Sequence, residues 1–127
     1  GQVDAMFLPI HVALPHIRSG RLVALGIGSD KRHALLPDLP TLAEAKAGNV
    51  NVDMWYGFFA PKGTPTDIVN LYNREINQLL SGEDVQKAFV SQGMDPSGST
   101  SQAFGQLVER DAERWARLIK DQGIKAD

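Results

Sequence analysis

With 127 residues, the chain has room for one compact domain or two small lobes. Hydrophobic residues at 43% and charged residues at 22% are globular values, which excludes a disordered or fibrous chain. Thirteen basic against fifteen acidic side chains leave a formal charge of −2, so nothing in the charge favours nucleic acid or an anionic membrane surface as a partner.

The lack of cysteine excludes a disulfide framework, a thiolate metal site and a thiol nucleophile. No apolar run approaches the roughly 20 residues of a spanning helix, and no charged start leads into an apolar signal core. The chain opens on Gly1-Gln2-Val3-Asp4 with no initiator Met, so we expect a fragment or a processed product.

Val3 to Leu8 is short, apolar and closed by Pro9, as expected of a buried strand. Pro15 is predicted to open a short helix that ends near Gly20. Arg21 to Gly28 is the next predicted strand, and its continuous apolar content is that of a strand covered on both faces in a parallel sheet. Strand, helix, strand implies a βαβ unit with a short crossover. Thr41 and Glu44 have capping-box spacing and predict a helix start, as do Ser99 and Gln102.

Val50 to Pro61, rich in aromatic and β-branched residues, reads as a long strand or hinge segment. Thr64-Pro65-Thr66-Asp67 offers an N-cap, a first-turn proline and an acid at the positive helix end. Ile68, Tyr72, Ile76, Leu79 and Leu80 then recur at helical spacing and predict one apolar face. Ser81 before Glu83 and Asp84 predicts another helix start. The last helix is predicted from about Thr100 to Gln122, closed by Gly123. Phe104, Leu107, Val108, Ala112, Trp115, Leu118 and Ile119 share one face of it.

Chemistry-bearing residues are few. His11, His16 and His33 are the only imidazoles, and His11 and His16 stand five apart across Pro15, off any regular helical face. A metal site would need ligands converging from elsewhere, and surface histidines are the plainer reading. Asp111 falls inside the apolar arc of the last helix. It reads either as a ligand-contacting acid or as an acid that pins the helix to another segment. Gly26 and Gly28 fail the GxGxxG test because Lys31 stands where the third glycine belongs, so they read as positions of close packing. No GxSxG occurs. Trp55-Tyr56-Gly57-Phe58-Phe59 reads as a stacking platform or, at alternating spacing, as core on one face.

Several segments in order resemble one family. They are Gly1 to Phe7, Gly20 to Leu25, Arg32, Leu36-Pro37-Asp38-Leu39-Pro40-Thr41 with Glu44, Trp55 to Pro65, and the closing helix with Trp115. The series resembles the C-terminal part of the tripartite tricarboxylate transporter substrate-binding proteins (TctC), the Bug family of extracytoplasmic solute receptors. One departure is Glu44-Ala45-Lys46-Ala47-Gly48, where the family has its glycine sooner after the acid.

The resemblance implies an α/β, periplasmic-binding-protein-like (type II) two-lobe architecture of which this chain is the C-terminal part. Residues 1–55 would belong to the second lobe, and residues 56–127 would return through the hinge to the first. It implies a periplasmic receptor, exported by an upstream signal peptide, that binds a small organic carboxylate and delivers it to the membrane permease subunits of the transporter. No enzyme activity, cofactor or metal is implied. Because ligands of doubly wound sheets lie beyond the carboxyl ends of strands, Phe7, Leu8 and Pro9 are the expected ligand-binding residues, with Asp4 structural. Read from residues alone, two alternatives stay open: an α/β hydrolase or transferase using His11, His33 or Asp111, and an interaction module built on the strand around Trp55. A partial two-lobe chain would also expose apolar edges, so self-association or a swapped arrangement is expected.

Overall fold

A computed structural model describes residues 3–48, 50–52 and 54–125. Gly1 and Gln2 of the resemblance series and Asp53 of the predicted hinge segment lie outside the described residues. Four helices follow in chain order: α1 (Ile10–Arg18), α2 (Thr66–Leu80), α3 (Glu83–Ser91) and α4 (Ser101–Asp121). The chain sorts into two compact units, one of Gly1–Phe59 with Glu83–Pro96 and one of Ala60–Gly82 with Ser97–Asp127.

In the first unit α1 starts earlier than predicted. Pro9 is its N-cap and Pro15 lies inside it. Pro15 has no N–H to return to His11, so the helix runs through at the cost of one internal bond. Its end is as predicted. Arg21 N–H donates to His16 O and Gly20 N–H to Ile17 O, with Gly20 at φ +71°, a Schellman closure that a Cβ would strain.

The predicted strands Val3–Leu8 and Arg21–Gly28 are not paired with each other. Among the described residues the ladder consists of one parallel bridge, between Ile27 and Thr41. Val23 and Leu25, expected to be covered on both faces, are 82% and 76% exposed. A strand needs a neighbour across its hydrogen-bonding edge, and over most of these segments the described residues supply none.

The Thr41–Glu44 capping box forms, but it closes a turn and not a helix. Thr41 N–H donates to Glu44 Oε2 at 2.9 Å and Glu44 N–H to Thr41 Oγ1 at 3.1 Å. Lys46 at φ +57° then ends the turn. Leu14 and Thr41, each 3% exposed, are the buried residues among those described. α3 begins where the acids predict it, with Glu83 and Asp84 in its first turn and Lys87 paired to Glu83.

The second unit packs α2 on α4. Pro65, not Thr64, is the N-cap of α2, and the Thr64 hydroxyl donates to Pro61 O at 2.8 Å. The inner face of α2 is also rotated from the predicted stripe. Val69, Asn73, Ile76, Asn77 and Leu80 are half-buried, whereas Ile68, Tyr72 and Leu79 are exposed. Two asparagines sit inside because Asn73 Nδ2 and Asn77 Nδ2 both donate to Ser99 O, at 2.9 and 3.0 Å.

Engaging that carbonyl fixes the entry to α4. Its N-cap is Thr100, one residue after the predicted Ser99, and Thr100 Oγ1 accepts Ala103 N–H at 3.1 Å. Phe104, Leu107, Val108, Asp111 and Trp115 form the half-buried face of α4, while Ala112, Leu118 and Ile119 of the predicted arc are exposed. Asp111 thus lies on the inner face, and it is not without a partner.

Candidate functional site

The site begins with the three residues the sequence singles out. Phe7 is exposed, Leu8 is half-buried, and Pro9 turns the chain into α1 with φ −58° and ψ 142°. Pro9 O accepts the N–H groups of Val12 and Ala13, each at 3.0 Å. The earlier donors, Ile10 and His11 N–H, find no acceptor among the described residues. The first-turn amides of α1 are therefore free for an anion, at the positive end of the helix dipole two residues after Leu8.

The end of the second extended segment lies alongside. Ile27 N–H donates to Pro40 O, Leu42 N–H to Ile27 O, and Val52 N–H to Gly28 O, each at 2.9 Å. A Cβ on Gly28 would stand 2.7 Å from Val52 Cγ2 and 3.6 Å from the Phe7 ring, so only glycine lets these pieces meet. Gly26 approaches Leu42 in the same way, which fits the close-packing reading of both glycines. Asn51 Nδ2 donates to Asp30 Oδ2 at 2.9 Å just beyond. Phe7, which precedes α1 by three residues, thus lies with Gly28 and Val52 within a single unit.

Two side-chain arrangements frame this convergence. Tyr56 OH lies 3.3 Å from His11 Nε2, tying the aromatic segment to the first turn of α1. Arg32 Nε donates to Glu44 Oε2 at 2.8 Å and Arg32 Nη1 to Pro37 O at 3.1 Å, pinning the loop before Thr41. The Thr41 backbone N–H, and then the Arg32 guanidinium, hold the Glu44 carboxyl below its ordinary value. Arg32 and Glu44 both stand in the ordered series that carries the resemblance. The His11–Tyr56 pair spans 45 positions and has no sequence signature.

The imidazoles are dispersed. His33 Nδ1 accepts Leu35 N–H at 3.2 Å, His16 is in the last turn of α1, and His11 meets Tyr56. Among the described residues no three His, Cys, Asp or Glu side chains cluster in a way that would hold a metal ion. No helix among them is long and apolar enough to cross a membrane.

Solved structures share this backbone. A structure of an R. palustris protein with adipate superposes with a TM-score of 0.83 at 29% identity, over 90% of this chain and 38% of that one. A periplasmic transporter superposes with a TM-score of 0.85 at 35% identity, over 93% of this chain and 39% of that one. The class so defined is the α/β, two-lobed periplasmic-binding-protein fold, of which these residues form a part.

Residues 1–124 match the tripartite tricarboxylate transporter family receptor, TctC. Among relatives, a UPF0065 protein from the tcbD–tcbE intergenic region of a Pseudomonas sp. is 37% identical over the whole of this chain and 38% of its own length. Protein BugT of Bordetella pertussis is 36% identical over 98% of this chain and 38% of its own length. A UPF0065 protein from the clcB–clcD intergenic region of Pseudomonas knackmussii is 38% identical, over 94% of this chain and 71% of its own length. The chain belongs to the tripartite tricarboxylate transporter receptor family, and it spans a little over a third of the length of BugT.

Proposed function

We propose that this chain forms part of a periplasmic receptor that captures a small organic carboxylate and presents it to the permease subunits of a tripartite tricarboxylate-type transporter. The family match over residues 1–124 carries the reading. The adipate in the R. palustris structure supports the ligand class. In this reading Phe7, Leu8 and Pro9 line the ligand, and the Ile10 and His11 N–H groups donate to one of its carboxylate oxygens. Main-chain donors at a helix N-terminus suit an anion and need no reactive side chain, so the reading assigns capture and release without chemical conversion. Residues up to about 55 would belong to one lobe and the later ones to the other, with closure of the two excluding water from the ligand.

A chimeric BugT in which residues 3–125 of this chain replace the matching stretch tests the reading by calorimetry with adipate, citrate and glutamate. We expect saturable binding of at least one of them, lost on Phe7→Asp. A folded chimera that binds none of the three overturns the reading. The 127-residue chain alone is expected to bind none at micromolar affinity, because a receptor of this class holds its ligand from both lobes.

A further inference from the structure

The chain has no cysteine, so its sulfur chemistry rests on Met6, Met54 and Met94. Met6 and Met54 are exposed, at 61% and 63%, and Met94 is half-buried. Exposure opens the first two to oxidants. What singles out Met54 is the group beside its sulfur, for Tyr56 OH lies 3.6 Å from Met54 Sδ and 3.3 Å from His11 Nε2. One hydroxyl proton therefore stands between a thioether and an imidazole. We propose that Met54 is a site of oxidative modification, and that its sulfoxide draws the Tyr56 hydroxyl proton away from His11.

The step balances with a peroxide as the oxidant. A lone pair of Met54 Sδ attacks one oxygen of the peroxide, the O–O bond breaks and an S–O bond forms. The proton on the transferred oxygen passes to the departing one, which leaves as water or an alcohol. Sulfur is oxidised and the peroxide reduced. Before the step the hydroxyl donates to His11 Nε2, because a thioether is a weak acceptor and a bare imidazole nitrogen a good one. The imidazole proton is then held on Nδ1. The sulfoxide oxygen is a strong acceptor and, one bond out from the sulfur, can turn toward the hydroxyl. The arrangement that now makes two good bonds in place of one has Nε2–H donating to the Tyr56 oxygen and Tyr56 O–H to the sulfoxide. Consecutive bonds of this kind reinforce each other. His11 is the second residue of α1, so the oxidation state of one sulfur sets which nitrogen carries the proton in the helix's first turn. The proposal stands on this geometry, whatever solute the receptor holds.

Hydrogen peroxide on the full 127-residue chain tests this. Peptide mass mapping locates the sulfoxides, and nitrogen NMR reads the imidazoles at about pH 8.5, where ordinary imidazoles are neutral. Met6 and Met54 are both expected to convert, and the His11 ring to pass from the Nδ1–H to the Nε2–H form. Met6→Leu removes the rival sulfoxide and should leave the His11 change intact. Tyr56→Phe and Met54→Leu, each conservative at an exposed position, should abolish that change. A methionine sulfoxide reductase should restore the starting spectrum. Met54 still reduced when Met6 is fully oxidised overturns the proposal. So does a fully oxidised Met54 beside an unchanged His11 ring.

Discussion

Tyr56 and His11, 45 residues apart, meet edge to face, with ring centroids 5.5 Å apart at 73° and the hydroxyl 3.3 Å from Nε2. The contact holds the aromatic segment against the first turn of α1, next to Pro9. Tyr56 OH also lies 3.6 Å from Met54 Sδ, so its single proton goes either to His11 or to the thioether. Tyr56→Phe keeps the ring contact and removes the polar one, and about 0.5 kcal/mol of stability is expected to go with it at this exposed position. His11→Ala removes both and is expected to cost more. Amide exchange in the first turn of α1 reads the difference.

The Glu44 clamp makes the first unit sensitive to acid. Its carboxyl is held below the ordinary glutamate value of 4.5 by the Thr41 N–H and by Arg32. A lowered value in the folded chain means that the contribution is fully present above 4.5 and disappears as pH falls through the folded value. Protease nicking between Arg32 and Lys46 should therefore rise in acid. Glu44→Gln should nick at that raised rate at neutral pH and change little on acidification.

Leu14 is the apolar residue of α1 shut off from water, at 3% exposure. Leu14→Ala should cost roughly 2–3 kcal/mol, toward the low end for such a truncation because few fully buried neighbours surround it. Urea melting followed by exchange in α1 checks this, and exchange in α2 and α4 should not change.

In the second unit, a Cβ on Gly98 would fall within van der Waals contact of Asn77 Oδ1. The asparagine has no freedom to withdraw, because its Nδ2 donates to Asn73 O at 2.7 Å and to Ser99 O at 3.0 Å. Gly98→Ala is expected to cost about 1–3 kcal/mol through overpacking. Asn77→Ala should cost about 1 kcal/mol, since Asn73 still serves the Ser99 carbonyl. The double variant should fall well short of the sum, because the second change removes what the first collides with. Thermal melts of the four chains decide it.

Signals confined to one turn of chain were legible in the sequence. The α3 acids, the Gly20 closure, the extent of α4 and the Thr41–Glu44 box all depend on residues within four or five positions of one another. The family was legible too, because its series of short motifs is ordered along nearly the whole chain. Pro15 misled because a first-turn preference is only a preference, and Pro9 was better placed to open the helix. The inner face of α2 was misjudged because Asn73 and Asn77 look like surface residues until the Ser99 carbonyl is known to lie opposite them. Strand pairing was beyond reach for a related reason. An apolar run does not say what lies across its edge, and for Val23 and Leu25 nothing among the described residues does.

The two units are pinned by chemically different fastenings. Around Ser99 the grip comes from neutral carboxamides, which neither titrate nor attract counterions. Between Arg32 and Glu44 it comes from opposite full charges near the surface. A sour or briny medium would thus slacken the Arg32–Glu44 fastening and leave the one around Ser99 taut, so amide exchange near Thr41 should quicken in brine while exchange near Ser99 holds steady.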